Sequence, residues 1–297
     1  MDYVFNIGGL RLRLAGCQWT EPTMPRNFAP FLSAEAPGEN PAATLEIKTS
    51  ASERPVQGGG EPISVACNDL GTTALYADGD SWLIALTPCP GEMPRHMKMS
   101  RTYTAATLWL NGPADPFATF VIDSMARIFF SQYAASRNAL ILHASVVVCD
   151  GRAFMFMGKS GTGKSTHSRL WLENFPSCTL LNDDCPMIIA SDDDTFLACG
   201  TPWSGKTPCW RDLRFPLGGI ARLRQAPANR FIPLAGIDSF VALIPGMSVM
   251  ASDERLYSDA SSTALRLVSA VPTGILECLP DGAAARLCRE ALTSGLN

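Results

Sequence analysis

The sequence predicts an α/β protein in which a phosphate-loop core over residues 115–297 follows a β-rich region over residues 1–114. Three observations predict it. The run Gly158-Lys159-Ser160-Gly161-Thr162-Gly163-Lys164-Ser165 lies between a strand-like and a helix-like segment. An Asp150-Gly151 turn makes that strand one arm of a hairpin. Near Asp115 the apolar period changes from two to that of a helix.

Up to about Asn111 the chain shows short alternating runs punctuated by Gly and Pro, the signature of strands. Leu10 to Leu14, Ala43 to Ile47, Ile63 to Ala66, Thr73 to Tyr76, Trp82 to Leu86 and Ala106 to Leu110 read this way. Ala77-Asp78-Gly79-Asp80 is a hairpin turn, and Ser50 to Glu61 is a polar, Gly-rich loop. Asp115-Pro116 then supplies an N-cap followed by proline at the first helical position. Phe117, Phe120, Val121, Met125, Ile128 and Phe129 follow at helical spacing, so Pro116 to Ser136 should be a long amphipathic helix with an apolar core face.

Ala153 to Met157 reads as a buried strand and Thr166 to Glu173 as the opening of a helix, the flanks that a Gly-x4-Gly-Lys-Ser loop needs. Glycines let backbone N–H groups wrap a polyphosphate, and a helix N-terminus adds partial positive charge. Gly158, Ser160, Gly161, Thr162, Gly163 and Thr166 would form the cradle, Lys164 would reach the terminal phosphates, and the Ser165 hydroxyl would sit on magnesium. The motif implies a nucleoside triphosphate; by itself it does not specify a reaction.

With a two-residue turn at Asp150-Gly151, Cys149 faces Arg152, and the same register carries His143 opposite Gly158, about 5 Å away across the ladder. Cys178 to Asn182 is a strand ending in Asp183-Asp184, and adjacent residues there can serve two tasks: one holds a metal, the other accepts a proton. Met187 to Ala190 and Thr195 to Ala198 flank Ser191 to Asp194 as a hairpin whose aspartates read as a solvated turn. Gly219 to Leu223, Phe240 to Ile244 and Thr273 to Leu279 read as further strands, and Pro280-Asp281 opens a last helix. Between Lys206 and Phe231 the basic residues Lys206, Arg211, Arg214, Arg222, Arg224 and Arg230 face one acid, Asp212. Lys206 and Arg230 are the preferred partners for a transferring phosphoryl group.

The 297 residues suffice for one large or two ordinary domains. A 46% hydrophobic and 18% charged composition is that of a globular protein, and a net charge of −4 argues against nucleic acid or an anionic membrane as partner. The longest apolar candidate, Phe117 to Phe130, carries Asp123 and Arg127, so no membrane span is expected. The N-terminus lacks a signal-peptide pattern, and ten scattered cysteines without a Cys-x-x-Cys suit reduced core thiols, among them Cys149 and Cys178. Both features predict a cytoplasmic protein.

A histidine before a hairpin, Gly-x-Ser-Gly-x-Gly-Lys-Ser and a following Asp-Asp together resemble the HPr kinase/phosphorylase family, which groups with the PEP carboxykinases. The resemblance covers roughly His143 to Lys206, including Gly200-Thr201-Pro202-Trp203-Ser204-Gly205-Lys206. It implies a phosphate loop in a mixed sheet and an ATP- and Mg-dependent kinase whose acceptor is a hydroxyl on a small molecule, peptide or protein. By position it implies Lys164 on phosphates, Ser165 and Asp184 on magnesium, Asp183 as general base, and His143 as its hydrogen-bonding neighbour. It also implies a homo-oligomer. Two features depart from the pattern: Thr166 stands where HPr kinases usually carry Glu, and their Arg/Asn-rich C-terminal signature is missing. The alternative is a nucleotide-binding regulator or scaffold with little or no transfer activity.

Overall fold

The computed structural model describes residues 1–20, 23–34, 42–49, 60–68, 71–191 and 195–294. The expected polar loop at Ser50 to Glu61 and the aspartates of the Ser191 to Asp194 turn fall largely outside them. The chain divides into two compact units, residues 1–136 and 137–297.

In the first unit, strands β1 (Tyr3–Ile7), β2 (Leu10–Ala15), β3 (Ala43–Lys48), β4 (Ser64–Asn68), β5 (Gly71–Asp78), β6 (Ser81–Thr87), β7 (Arg95–Ser100) and β8 (Ala105–Trp109) form one sheet. Its order is β1-β2-β3-β8-β7-β6-β5-β4, with β2–β3 and β3–β8 parallel. Helix α1 (Ala118–Ala135) packs on β3, β7 and β8, so the helix grouped with residues 115–297 on sequence belongs to the first unit. Arg95 is the buried clasp here. Its Nε and Nη2 donate to the two oxygens of Asp115 at 2.9 and 2.6 Å, a bidentate pair that holds the turn leading into α1.

The second unit contains β9 (Ala139–Ile141), β10 (Ala144–Cys149), β11 (Arg152–Met157), α2 (Lys164–Asn174), β12 (Thr179–Asn182), β13 (Met187–Ala190), β14 (Phe196–Cys199), β15 (Arg214–Gln225), β16 (Arg230–Leu234), α3 (Ile237–Leu243), α4 (Glu254–Ala270), β17 (Thr273–Cys278) and α5 (Gly282–Thr293). The sheet runs β12-β10-β11-β15-β14-β13-β9, with β17 joined to β15 and β16 to β17. It is mixed, as the hairpin implied: β10–β11 is antiparallel, while β11–β15 and β15–β17 are parallel. Asp150 and Gly151 both have positive φ (51° and 77°), the geometry of a two-residue hairpin turn, and Cys149 pairs with Arg152.

Helix α2 is anchored by one face. Lys164, His167, Ser168 and Trp171 are buried at spacings of three and four. Trp171 is fully enclosed, 5.0 and 5.2 Å from the Phe154 and Phe156 rings, and the His167 ring stands edge-on to Phe156 at 4.7 Å. Helix α5, capped by Asp281, adds Ala285, Cys288 and Leu292 to the same core.

Three expectations fail here. Phe240 to Ile244 lies in α3 and the turn after it, because a five-residue apolar run carries no period long enough to separate strand from helix. Helix α4, with Asp253 as N-cap, was not anticipated. Cys149 and Cys178 are disulfide-bonded rather than reduced: the β10–β12 ladder pairs Val148 with Thr179, and one step on it sets the two cysteines opposite each other, Cα–Cα 4.3 Å. The other eight cysteines are free. Among the described residues no helix is long and apolar enough to cross a membrane.

Candidate functional site

The site is assembled at the ends of β10, β11 and β12. Strand β11 runs straight into the glycine-rich loop, and α2 starts at Lys164 with Gly163 as its N-cap. A Cβ at Gly158 would come within 2.4 Å of Thr162 Oγ1, so a side chain there would displace that hydroxyl from its place in the loop. Thr162 in turn closes the loop internally, its N–H and hydroxyl both donating to the Lys159 carbonyl at 3.1 and 2.8 Å. Ser160, Gly161 and Ser165 are exposed on the loop and first helical turn, whereas Thr166 is half-buried.

Lys164 is 8% exposed, and its ammonium turns back on the loop, donating to the Gly158 and Lys159 carbonyls at 3.1 and 3.5 Å. Burial lowers its pKa, while the charges of Asp184 and Asp183 act the other way. The same Nζ lies 2.9 Å from His143 Nε2. An ammonium can only donate, so Nε2 accepts and the ring proton is on Nδ1. That nitrogen is 3.1 Å from Asp184 Oδ1. Lys164, His143 and Asp184 therefore form one hydrogen-bonded chain. The β10–β11 ladder ends at Ala144–Met157, one step short of the expected His143–Gly158 pair, and the His143 N–H donates to the Gly246 carbonyl at 2.7 Å.

Asp183 is held separately. Ser145, buried on β10, donates to its Oδ1 at 2.6 Å, and Thr207 donates to its Oδ2 at 2.6 Å. With its single proton directed at Asp183, Ser145 accepts from the buried Ser168 of α2 at 2.5 Å. The carboxylate is thus gripped from the sheet, the helix and the following loop at once. Asn182 sets up this turn from below. It is fully buried, its Oδ1 accepts the N–H groups of Asp184 and Cys185 at 3.0 and 2.9 Å, and its Nδ2 donates to Thr201 Oγ1 and the Trp203 carbonyl, both at 3.2 Å.

The Gly200 to Lys206 loop closes over the carboxylates. Gly205 (φ 59°) approaches so closely that a Cβ would sit 3.0 Å from the Asp184 Cβ. Lys206 is exposed between that glycine and the Asp183-bound Thr207. Arg230 is placed differently. It lies on β16, and its Nε and Nη2 contact Glu277 Oε2 at 3.2 and 3.1 Å, while Arg224 takes Glu277 Oε1 at 3.0 Å. The basic stretch read as one feature is therefore split, with Lys206 beside the carboxylates and Arg224 and Arg230 sharing a glutamate across β15, β17 and β16.

Ser145, Ser168, Asn182 and Thr207 were not singled out from sequence. For Ser145 a signal existed: a lone hydroxyl in the strand Ala144-Ser145-Val146-Val147-Val148 must find a polar partner when buried. The half-buried Asp183 and Asp184 with the Ser165 hydroxyl offer hard oxygen donors, the set that suits magnesium shared with phosphate rather than zinc. Among the described residues no group of three or more His, Cys, Asp or Glu forms a self-sufficient metal cage.

Comparison with protein families and with curated proteins finds no match to this chain. Among solved structures, the HPr(Ser) kinase/phosphatase from Coxiella burnetii aligns with a TM-score of 0.31 at 10% identity, over 52% of this chain and 90% of that one. A likeness at that level carries no weight for function, which has to be read from the site itself.

Proposed function

We propose that the protein is an ATP- and magnesium-dependent kinase that transfers the γ-phosphoryl group to a hydroxyl of a small molecule, peptide or protein. The observation that carries this reading is the convergence of Lys164, His143, Asp183 and Asp184 on one strand–loop–helix junction. Phosphoryl transfer asks a protein mainly for positioning and charge neutralisation, with one group to take the acceptor's proton.

The chain's own residues divide that work. Backbone N–H groups of residues 158–165 bind the polyphosphate, and Lys164 leaves the Gly158 and Lys159 carbonyls to reach its terminal oxygens. Ser165 and Asp184 would hold magnesium, which would supply charge neutralisation to the phosphates. Asp183 accepts the hydroxyl proton as the acceptor oxygen bonds to the γ-phosphorus and the bond to the β–γ bridging oxygen breaks, releasing ADP. Ser145 and Thr207 keep that carboxylate in one orientation, and His143 couples the position of Lys164 to that of Asp184. Lys206, exposed between Gly205 and the Asp183-bound Thr207, is the side chain assigned to meet the transferring group.

The test is calorimetric binding of Mg-ATP together with transfer of labelled γ-phosphate in a lysate of the source cell. Lys164→Ala should abolish binding or turnover, and Asp183→Asn should bind ATP and fail to transfer. Full activity in Asp183→Asn removes the base assignment. Tight ATP binding without transfer to any acceptor favours a nucleotide-binding regulator.

A further inference from the structure

On the side of the glycine-rich loop away from the carboxylates lies a crevice of about 530 Å³ that the kinase reading has not used. It is lined by residues 159–162 of the loop, by Arg222 to Gln225 of β15 and by Ile275 of β17. It sits where β11, β15 and β17 end, side by side and parallel, with Met157 paired to Arg222 and Arg222 to Ile275. In α/β sheets ligands collect outside the carboxyl ends of such strands.

We propose that this crevice receives the nucleoside half of the triphosphate and discriminates little between bases. The proposal rests on the kinase reading and assigns the donor's orientation within it. A polyphosphate cradled by the loop has a transfer end, which must meet Asp183 and Asp184 over β12 and β10. Strand order then decides where the other end goes. The loop follows β11, which has β10 and β12 on one side and β15 and β17 on the other. The α-phosphate and nucleoside leave over β15 and β17.

The chemistry of the walls suits that half of the molecule. Ile275, partly exposed on the same face of the sheet as Arg222, gives the crevice an apolar side chain that can take one face of a base or ribose, whereas the Leu223 side chain is buried in the core under α2 and α5. Two guanidinium groups already have partners, Arg222 a backbone carbonyl and Arg224 a surface ion pair. Arg222 Nη1 donates to the Ala242 carbonyl at 2.6 Å, and Arg224 pairs with Glu277. A planar cation can cover a ring face or meet an α-phosphate. Few side chains in the lining could read a base edge: the Thr162 hydroxyl is committed to the Lys159 carbonyl, and Ser160 is exposed. None of the described lining residues is aromatic, and the one side-chain amide, exposed Gln225, leans on the Gly161 carbonyl at 3.4 Å. Strong base selection needs buried polar groups that the wrong base leaves unpaired, and the crevice supplies none.

The experiment is calorimetric titration of the full chain, with magnesium, by ATP, GTP, CTP and inorganic tripolyphosphate, in wild type and Arg224→Ala. Arg224 is largely exposed, and its loss leaves Glu277 paired with Arg230, so the variant should fold; circular dichroism checks this. Wild type should bind the three nucleotides within about fivefold of one another. The variant should lose roughly tenfold for all three, or about 1.4 kcal/mol, and keep tripolyphosphate within about twofold. A preference of about a hundredfold for one base overturns the proposal, as does equal loss for tripolyphosphate and ATP, or no loss for any ligand. Wild type that binds none of the four overturns the kinase reading as well, a result separate from those three.

Discussion

His167 gives the sharpest quantitative expectation, because the helix that carries the site rests on it. Its imidazole is 3% exposed, edge-on to Phe156, and its Nε2 accepts from Trp171 Nε1 at 3.1 Å. Burial holds its pKa down to about 4, against 6.5 for an ordinary histidine. The folded ring therefore stays neutral through a range in which the unfolded chain takes up a proton. Its contribution to stability is fully present above about pH 6.5 and is lost as pH falls towards 4. A separation of about 2.5 units corresponds to about 3 kcal/mol, most of it gone by about pH 4.5. His167→Gln retains an acceptor for Trp171 and removes the titration. Urea unfolding of both proteins at pH 7.5 and 4.5 should show wild type losing about 2.5 kcal/mol more than the variant, with shared carboxylate effects cancelling in the difference. Equal losses in the two proteins would refute the reasoning, since they would mean that the ring is not desolvated in the fold.

Other outcomes are expected at named positions. Ser145→Ala removes a donor to Asp183 and strands the Ser168 hydroxyl, so it should cost about 1.5–3 kcal/mol in urea and slow transfer while leaving the Kd for ATP unchanged. Gly158→Ala should weaken ATP binding by calorimetry, because its Cβ displaces the Thr162 hydroxyl that closes the loop on the Lys159 carbonyl. Burial raises the Asp123 carboxyl to about 6, so the stability it gives is complete below about pH 3.8 and lost as pH rises through 6. Asp123→Asn should stabilise the protein at pH 7.5 by up to about 3 kcal/mol in thermal or urea unfolding, with the gain vanishing near pH 4. Thiol titration of the denatured, unreduced chain should count eight free cysteines, and ten after reduction.

Where a local rule was strong, the sequence reading and the structure coincide. The Asp150-Gly151 turn defined the hairpin register, the loop motif announced β11 and α2, and the Asp281 cap announced α5. Short apolar runs without a sustained period misled, as at Phe240 to Ile244. The basic stretch from Lys206 to Arg230 was legible as composition but not as pairing. A charge count does not show that Glu277, on a distant strand, takes two of its arginines.

By itself the sequence determined the strand–loop–helix junction, the hairpin that brings His143 to it, and the adjacent carboxylates at the end of β12. Those features depend on turn chemistry, glycine geometry and residue period, which act over a few positions. Only the tertiary structure decided what grips the carboxylates and where the arginines stand. Ser145 and Thr207 meet Asp183 from 38 and 24 residues away, and Arg230 meets Glu277 from 47. Contacts at that separation exist only once strands from different parts of the chain lie side by side: burial then makes the hydroxyl of Ser145 find a partner, and strand pairing sets Arg230 beside Glu277.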